Sequence, residues 1–214
     1  LISPFVFFLF YEGSLNIAVA LFLVSGMLAL IQIGGIGHFT LPTPFSRRPF
    51  EFPGGFRKTY VLTMLAYLLA GIGIAVGNFN LGVFAMVLVF LNCMYFYYYP
   101  EGLYYVWIFS SNPRQFLFRK VTTAAGYSTL LSLPIVVGLG LFFNDKLIIV
   151  LAFLLLGYLY LLTIILAKYA AFPGRMSLPQ ELLIAFGIWF PPLLLGVIPF
   201  FYIQAVKRLK EVLA

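Results

Sequence analysis

The stretch Pro100 to Lys120, PEGLYYVWIFSSNPRQFLFRK, interrupts an otherwise apolar chain with one acid, three bases and two helix-start signals. A segment so polar and so aromatic does not sit in hydrocarbon. Pro100 and Glu101 suit the first turn of a helix, where proline loses no needed hydrogen bond and a carboxylate meets the positive end of the dipole. Leu103, Tyr104, Tyr105, Trp107, Ile108 and Phe109 then form a run aromatic enough to lie in a membrane interface. Ser110 and Ser111 break that run. Asn112 followed by Pro113 is an N-cap and first-turn pair that starts a new helix, and Arg114, Arg119 and Lys120 hold its beginning in the cytoplasm. The pattern predicts a short helix along the cytoplasmic face of a membrane bundle, feeding into the next spanning helix and open to a soluble partner. The plainer reading of the same residues is an amphipathic connector with no partner.

Composition supports the membrane setting. Hydrophobic residues make up 63% of the chain and charged ones 9%, against roughly 25% charged in a soluble domain, and the mean hydropathy is +1.06. The fold class this implies is an all-α integral membrane protein, a polytopic bundle of about six transmembrane helices with one interfacial cytoplasmic helix. The 13 bases outnumber the 6 acids, but they lie between apolar runs rather than in one patch. That distribution favours membrane orientation and anionic lipid over nucleic acid. Cys93 is the only cysteine, so no disulfide frame or thiolate metal site forms within one chain.

Working outward, the predicted spans are about 15–37, 59–76, 81–99, 121–143, 147–167 and 182–203 of a single transmembrane domain. The opening run Leu1 to Phe10 is half the length of a span, without Met or a signal-peptide pattern, and reads as the tail of a longer protein. The loop His38 to Lys58 carries Arg47, Arg48, Arg57 and Lys58 against Glu51 alone, which marks it as cytoplasmic. The second and third spans are joined only by Gly77, Asn78, Phe79 and Asn80, a tight antiparallel hairpin, and Gly73 and Gly77 have the spacing of a close helix contact. Tyr95 to Tyr99 suit a headgroup-level belt. Pro134 is an expected kink in the fourth span, Asn144 an expected cap of the fifth, and Ser177 with Gln180 an expected capping box. One crossing per run would leave the basic tail, Lys207, Arg208 and Lys210, on the outside. Either Pro191 and Pro192 turn the last run back on itself, or that run is a kinked single span with an outward tail.

Motifs for chemistry are few. GGFRKT at Gly54 to Thr59 lacks the glycine before its lysine and the preceding strand of a phosphate loop. No metal-ligand, nucleophile-elbow or dinucleotide pattern occurs, and Glu12, Glu101, Asp145 and Glu181 all fall at span ends. The reading therefore assigns no catalytic, cofactor-binding or metal site, expects no enzyme activity and calls for no cofactor.

The element from Glu101 through Trp107, Ile108, Phe109, Ser110, Ser111 and Pro113 to Lys120, followed by an apolar span, resembles the cytoplasmic element of the type-2 ABC exporter permease family, in particular poorly described members from Bacteroidetes. The closing run Phe200, Phe201, Tyr202 with Lys207, Arg208 and Lys210 is similar to that family's ending. The resemblance covers roughly the last 120 residues. It implies a six-helix permease half in the bacterial inner membrane that pairs with a second half, the same or different, and with a cytoplasmic ATP-binding subunit that supplies the energy. Glu101 would cap the cytoplasmic helix, and Tyr104, Trp107 and Ile108 would fill a cleft of the ATPase. Pro113 would start the following helix, and Arg114 and Lys120 would meet acidic ATPase residues or membrane lipids. Asn112-Pro113 stands where the family more often has serine-proline, and the element is unusually aromatic. The alternatives are a membrane scaffold without transport activity and a lipid-modifying enzyme built on His38, Arg47 and Glu51.

Overall fold

The computed structural model describes residues 45, 51–98, 100–109 and 112–213. The first predicted span, 15–37, and the loop residues His38, Arg47 and Arg48 lie outside them. Seven α-helices occur among the described residues: α1 (Glu51–Ala75), α2 (Phe79–Phe96), α3 (Leu103–Phe109), α4 (Pro113–Phe142), α5 (Leu147–Ala171), α6 (Leu178–Trp189) and α7 (Leu194–Leu213). Five of them, α1, α2, α4, α5 and α7, are long and apolar enough to cross a membrane. The chain is a multi-pass helical membrane protein.

Local sequence sets the helix ends. Asn112 accepts a hydrogen bond from the Arg114 amide at 3.1 Å, with Pro113 as the first residue of α4, as the Asn-Pro pair predicts. The Ser177 amide donates to Gln180 Oε1 at 2.9 Å and closes the expected capping box at the start of α6. Asn78 caps α2 through the Leu81 amide. Asn144 does not cap α5; it opens a 3-10 turn, Asn144–Lys146, that leads into it. Gly77 adopts a left-handed conformation, φ +71°, and forms the hairpin turn. It is Gly73, not Gly77, whose missing side chain lets α1 and α2 approach. α4 runs through Pro134 as one helix.

α2 lies at the centre of the bundle and is its most buried long helix, lying against α1, α4 and α5. Of these, α1 and α5 approach through glycines. A Cβ at Gly55 of α1 would overlap the Phe96 ring, and one at Gly157 of α5 would stand 2.6 Å from the Phe90 ring. With little hydrophobic drive between helices in lipid, such close approach supplies the dispersion contacts that hold them. A buried hydrogen bond from Asn92 Nδ2 to Thr63 Oγ1, 3.0 Å, adds a polar tie between α1 and α2.

One pole of the bundle gathers the start of α1, the end of α2, the start of α4 and the end of α5. Phe52 packs edge-on against Phe96, and Phe116 against Tyr169, with ring centroids 5.0 and 5.2 Å apart. The other pole holds the Gly77 turn and the 3-10 turn, where Lys146 lies 5.0 Å from the Phe79 ring. Of the described bases, only Lys146 belongs to that second pole. By the positive-inside rule the basic pole faces the cytoplasm.

The last apolar run does turn back. α6 ends at Trp189, the two prolines form a 3-10 turn, Pro191–Leu193, and α7 begins at Leu194. The Tyr160 hydroxyl, midway along α5, donates to the Gly187 carbonyl at 2.6 Å, and Leu194 packs on Gly187. From that mid-depth turn α7 descends parallel to α5, so that Lys207 and Arg208 lie beside Ala170 and Ala171 at the basic pole. The Gly187 carbonyl, which Pro191 leaves without its amide donor, thereby has a protein partner, as such a break requires at membrane depth. α7 could cross a bilayer by length, but it starts half-way.

Candidate functional site: a buried four-charge joint

At the basic pole the bundle encloses two acids and two lysines. Glu51 is the first residue of α1, Glu101 lies in the connection between α2 and α3, Lys120 lies in the third turn of α4 and Lys168 in the last turn of α5. Their side chains are 8%, 12%, 15% and 1% exposed, respectively. Lys120 Nζ donates to Glu51 Oε2 at 2.9 Å and also pairs with Glu101. Lys168 pairs with Glu51 and lies 3.6 Å from Glu101 Oε1. The Tyr169 hydroxyl donates to Glu101 at 3.3 Å, and the Tyr97 and Tyr169 rings lie 5.8 and 5.3 Å from the Lys168 ammonium.

Two acids are set against two bases, so each charge meets an opposite one, which is the condition for holding them away from water. Burial opposes ionisation of the Glu101 carboxyl. Its hydrogen bond with Glu51 and the Lys120 and Lys168 ammoniums outweigh that opposition and hold it down at about 2. Burial, then the Glu51 charge, push the Tyr97 phenol well above its ordinary value, so it stays neutral.

This arrangement changes the roles expected of two residues. Glu101 does not cap α3, which begins two residues later; it and Lys120 turn inward to each other. Tyr104, Trp107 and Ile108 of α3 are outward, 67%, 65% and 48% exposed, while Val106 is fully buried and anchors the helix. Pro113 and Arg114 are together in the first turn of α4, with Arg114 exposed. The tyrosine belt divides as well. Tyr95 and Tyr98 are exposed, Phe96 and Tyr97 are buried in the joint, and Tyr98 donates to Glu181 at 2.9 Å.

Glu51 and Lys168 are the members that sequence reasoning missed. Lys168 reads as the first residue of a loop after a span ending at Ala167, but α5 continues to Ala171 and carries it inside. The available signal was a lone acid, Glu51, among the bases of its loop. Of the residues considered for an enzyme, His38 and Arg47 lie outside the described residues and the Glu51 carboxylate is occupied by the two lysines.

What the joint does physically is fasten α1, α4 and α5 to the connection that carries α3. No family model, no curated protein and no solved structure matches the chain.

Proposed function

We propose that this chain is the membrane-spanning half of an ATP-driven exporter of the type-2 ABC kind, working in a bacterial inner membrane with a second permease half and a separate cytoplasmic ATPase. The observation that carries this reading is the pairing of an outward lever with an inward lock. α3 offers Tyr104, Trp107 and Ile108 at the basic pole, and Glu101, two residues before it, is tied to lysines of α4 and α5. A flexible loop would absorb a push from a partner. A connection fastened by buried ion pairs passes the push to α4 and α5, and through Glu51 to α1. Large apolar and aromatic side chains exposed beside cations are also the composition of a protein-binding hot spot.

The test is recovery in gentle detergent together with the ATPase encoded beside this chain. Trp107→Asp alters the exposed face without touching the joint, so the fold should survive while ATPase recovery and substrate-stimulated hydrolysis are lost. If no ATPase accompanies the intact protein, or if Trp107→Asp leaves stimulated hydrolysis unchanged, the exporter reading fails. A scaffold would show binding of a membrane partner with no dependence on ATP.

A further inference from the structure

On one side of α7 a groove of about 480 Å³ opens at the basic pole. Its floor is made by Ala170 and Ala171 of α5, whose small side chains leave the space. Arg175, Lys207 and Arg208 converge on it, with Gln180 and Gln204 between them and Glu211 at its end. The acid is already engaged, since Glu211 accepts from Arg208 at 3.2 Å. Among the described residues no carboxylate pairs with Arg175 or Lys207. Three cations against one acid leave the groove with a net charge of about +2, matched to an anion.

The depth of the groove indicates the source of that anion. On α7 the outward residues Leu195, Phe200 and Ile203 are exposed apolar side chains suited to hydrocarbon, and Lys207 follows one turn after Ile203. The lipid-to-water boundary therefore crosses α7 between Ile203 and Lys207, at the level of the groove. At that depth the abundant anion is a phospholipid phosphate. Lysine and arginine supply the donors for it, and the glutamines can bond the neighbouring polar headgroup.

We propose that the groove between the end of α5 and α7 is a binding site for the phosphate of an anionic phospholipid, held by Arg175, Lys207 and Arg208. The site is independent of the exporter reading, and its test involves no ATPase.

The full-length protein, delipidated in neutral detergent, is supplied with mixed micelles of phosphatidylglycerol or phosphatidylcholine, and the lipid retained is measured by native mass spectrometry. The intact chain should retain phosphatidylglycerol preferentially. The double variant Arg175→Gln with Lys207→Gln should weaken that retention roughly thirtyfold, about fivefold for each base. Lys210→Gln does not line the groove and should change it little. Glu211→Gln frees Arg208 and should strengthen retention a few-fold, an effect that loss of folding cannot imitate. Competition with inorganic phosphate separates the sources: retention that survives millimolar phosphate supports the lipid, whereas displacement overturns the lipid assignment. Equal retention by the double variant and the intact chain, or no preference for phosphatidylglycerol over phosphatidylcholine, overturns the site.

Discussion

Replacing Lys168 by methionine tests the joint most directly. The substitution keeps the volume of the stem and removes only the ammonium, which is shared between Glu51 and Glu101. At 3.6 Å from Glu101, and with an effective dielectric near 20, one such contact amounts to roughly 4 to 5 kcal/mol of Coulomb attraction before desolvation. The loss on breaking a buried pair is about 3 to 5 kcal/mol, because two carboxylates are left with one cation. For a chain of this length that lowers Tm by roughly 10 °C. The assay is thermal unfolding in mild detergent across pH. The variant carries one uncompensated negative charge, and binding a proton removes it, so the variant should regain stability on acidification from pH 8 to pH 5. The intact joint, where the Lys168 ammonium already compensates the carboxylates, should gain less. Adding Glu51→Gln to Lys168→Met removes one charge of each sign and should restore more than half of the loss. A variant that melts within about 2 °C of the intact protein, a drop too small for a broken buried pair, with an unchanged pH profile, would refute the joint.

Other consequences can be checked separately. Because the Glu101 carboxyl is held at about 2 from an ordinary 4.5, the stability it contributes is fully present above pH 4.5 and disappears as the pH falls toward 2; Glu101→Gln should flatten that limb of the unfolding profile. Gly157→Leu drives a side chain into the Phe90 ring and should cost about 1 to 3 kcal/mol by overpacking the α2–α5 seam, read as a lower Tm. Thr63→Val removes the partner of Asn92 and should cost about 0.6 to 1.7 kcal/mol, the range for polar ties in membranes. Starting from Cys93→Ala, single cysteines at Tyr104 and Lys210 should both react with a reagent applied to inverted vesicles and neither with the same reagent applied to intact cells. Labelling of Lys210→Cys from outside intact cells would mean that α7 crosses the membrane and the tail is external.

Much of the architecture was legible because it is local. Runs of apolar residues longer than a bilayer needs give the long helices from composition alone. Asn112-Pro113, Ser177 with Gln180, and the Gly77-Asn78 turn name helix ends through hydrogen bonds that reach no more than five residues. The doubled proline announced a break in the last run but not its outcome, since both a kinked crossing and a return satisfy the missing amide donors. The Tyr160 bond to Gly187 and the seat of Leu194 decide it, and they depend on which helix stands beside the break.

The sequence by itself therefore determined that this chain is a helical membrane protein with several long apolar helices, and that an aromatic, charged element interrupts them. Only the tertiary structure decided that Glu101 and Lys120 face inward, and that they meet Glu51 and Lys168, two residues 117 positions apart. The physical reason is the range of the forces involved. Hydropathy and capping act along a few turns of chain, whereas a charge can be kept out of water only where helices distant in sequence bring its opposites to it.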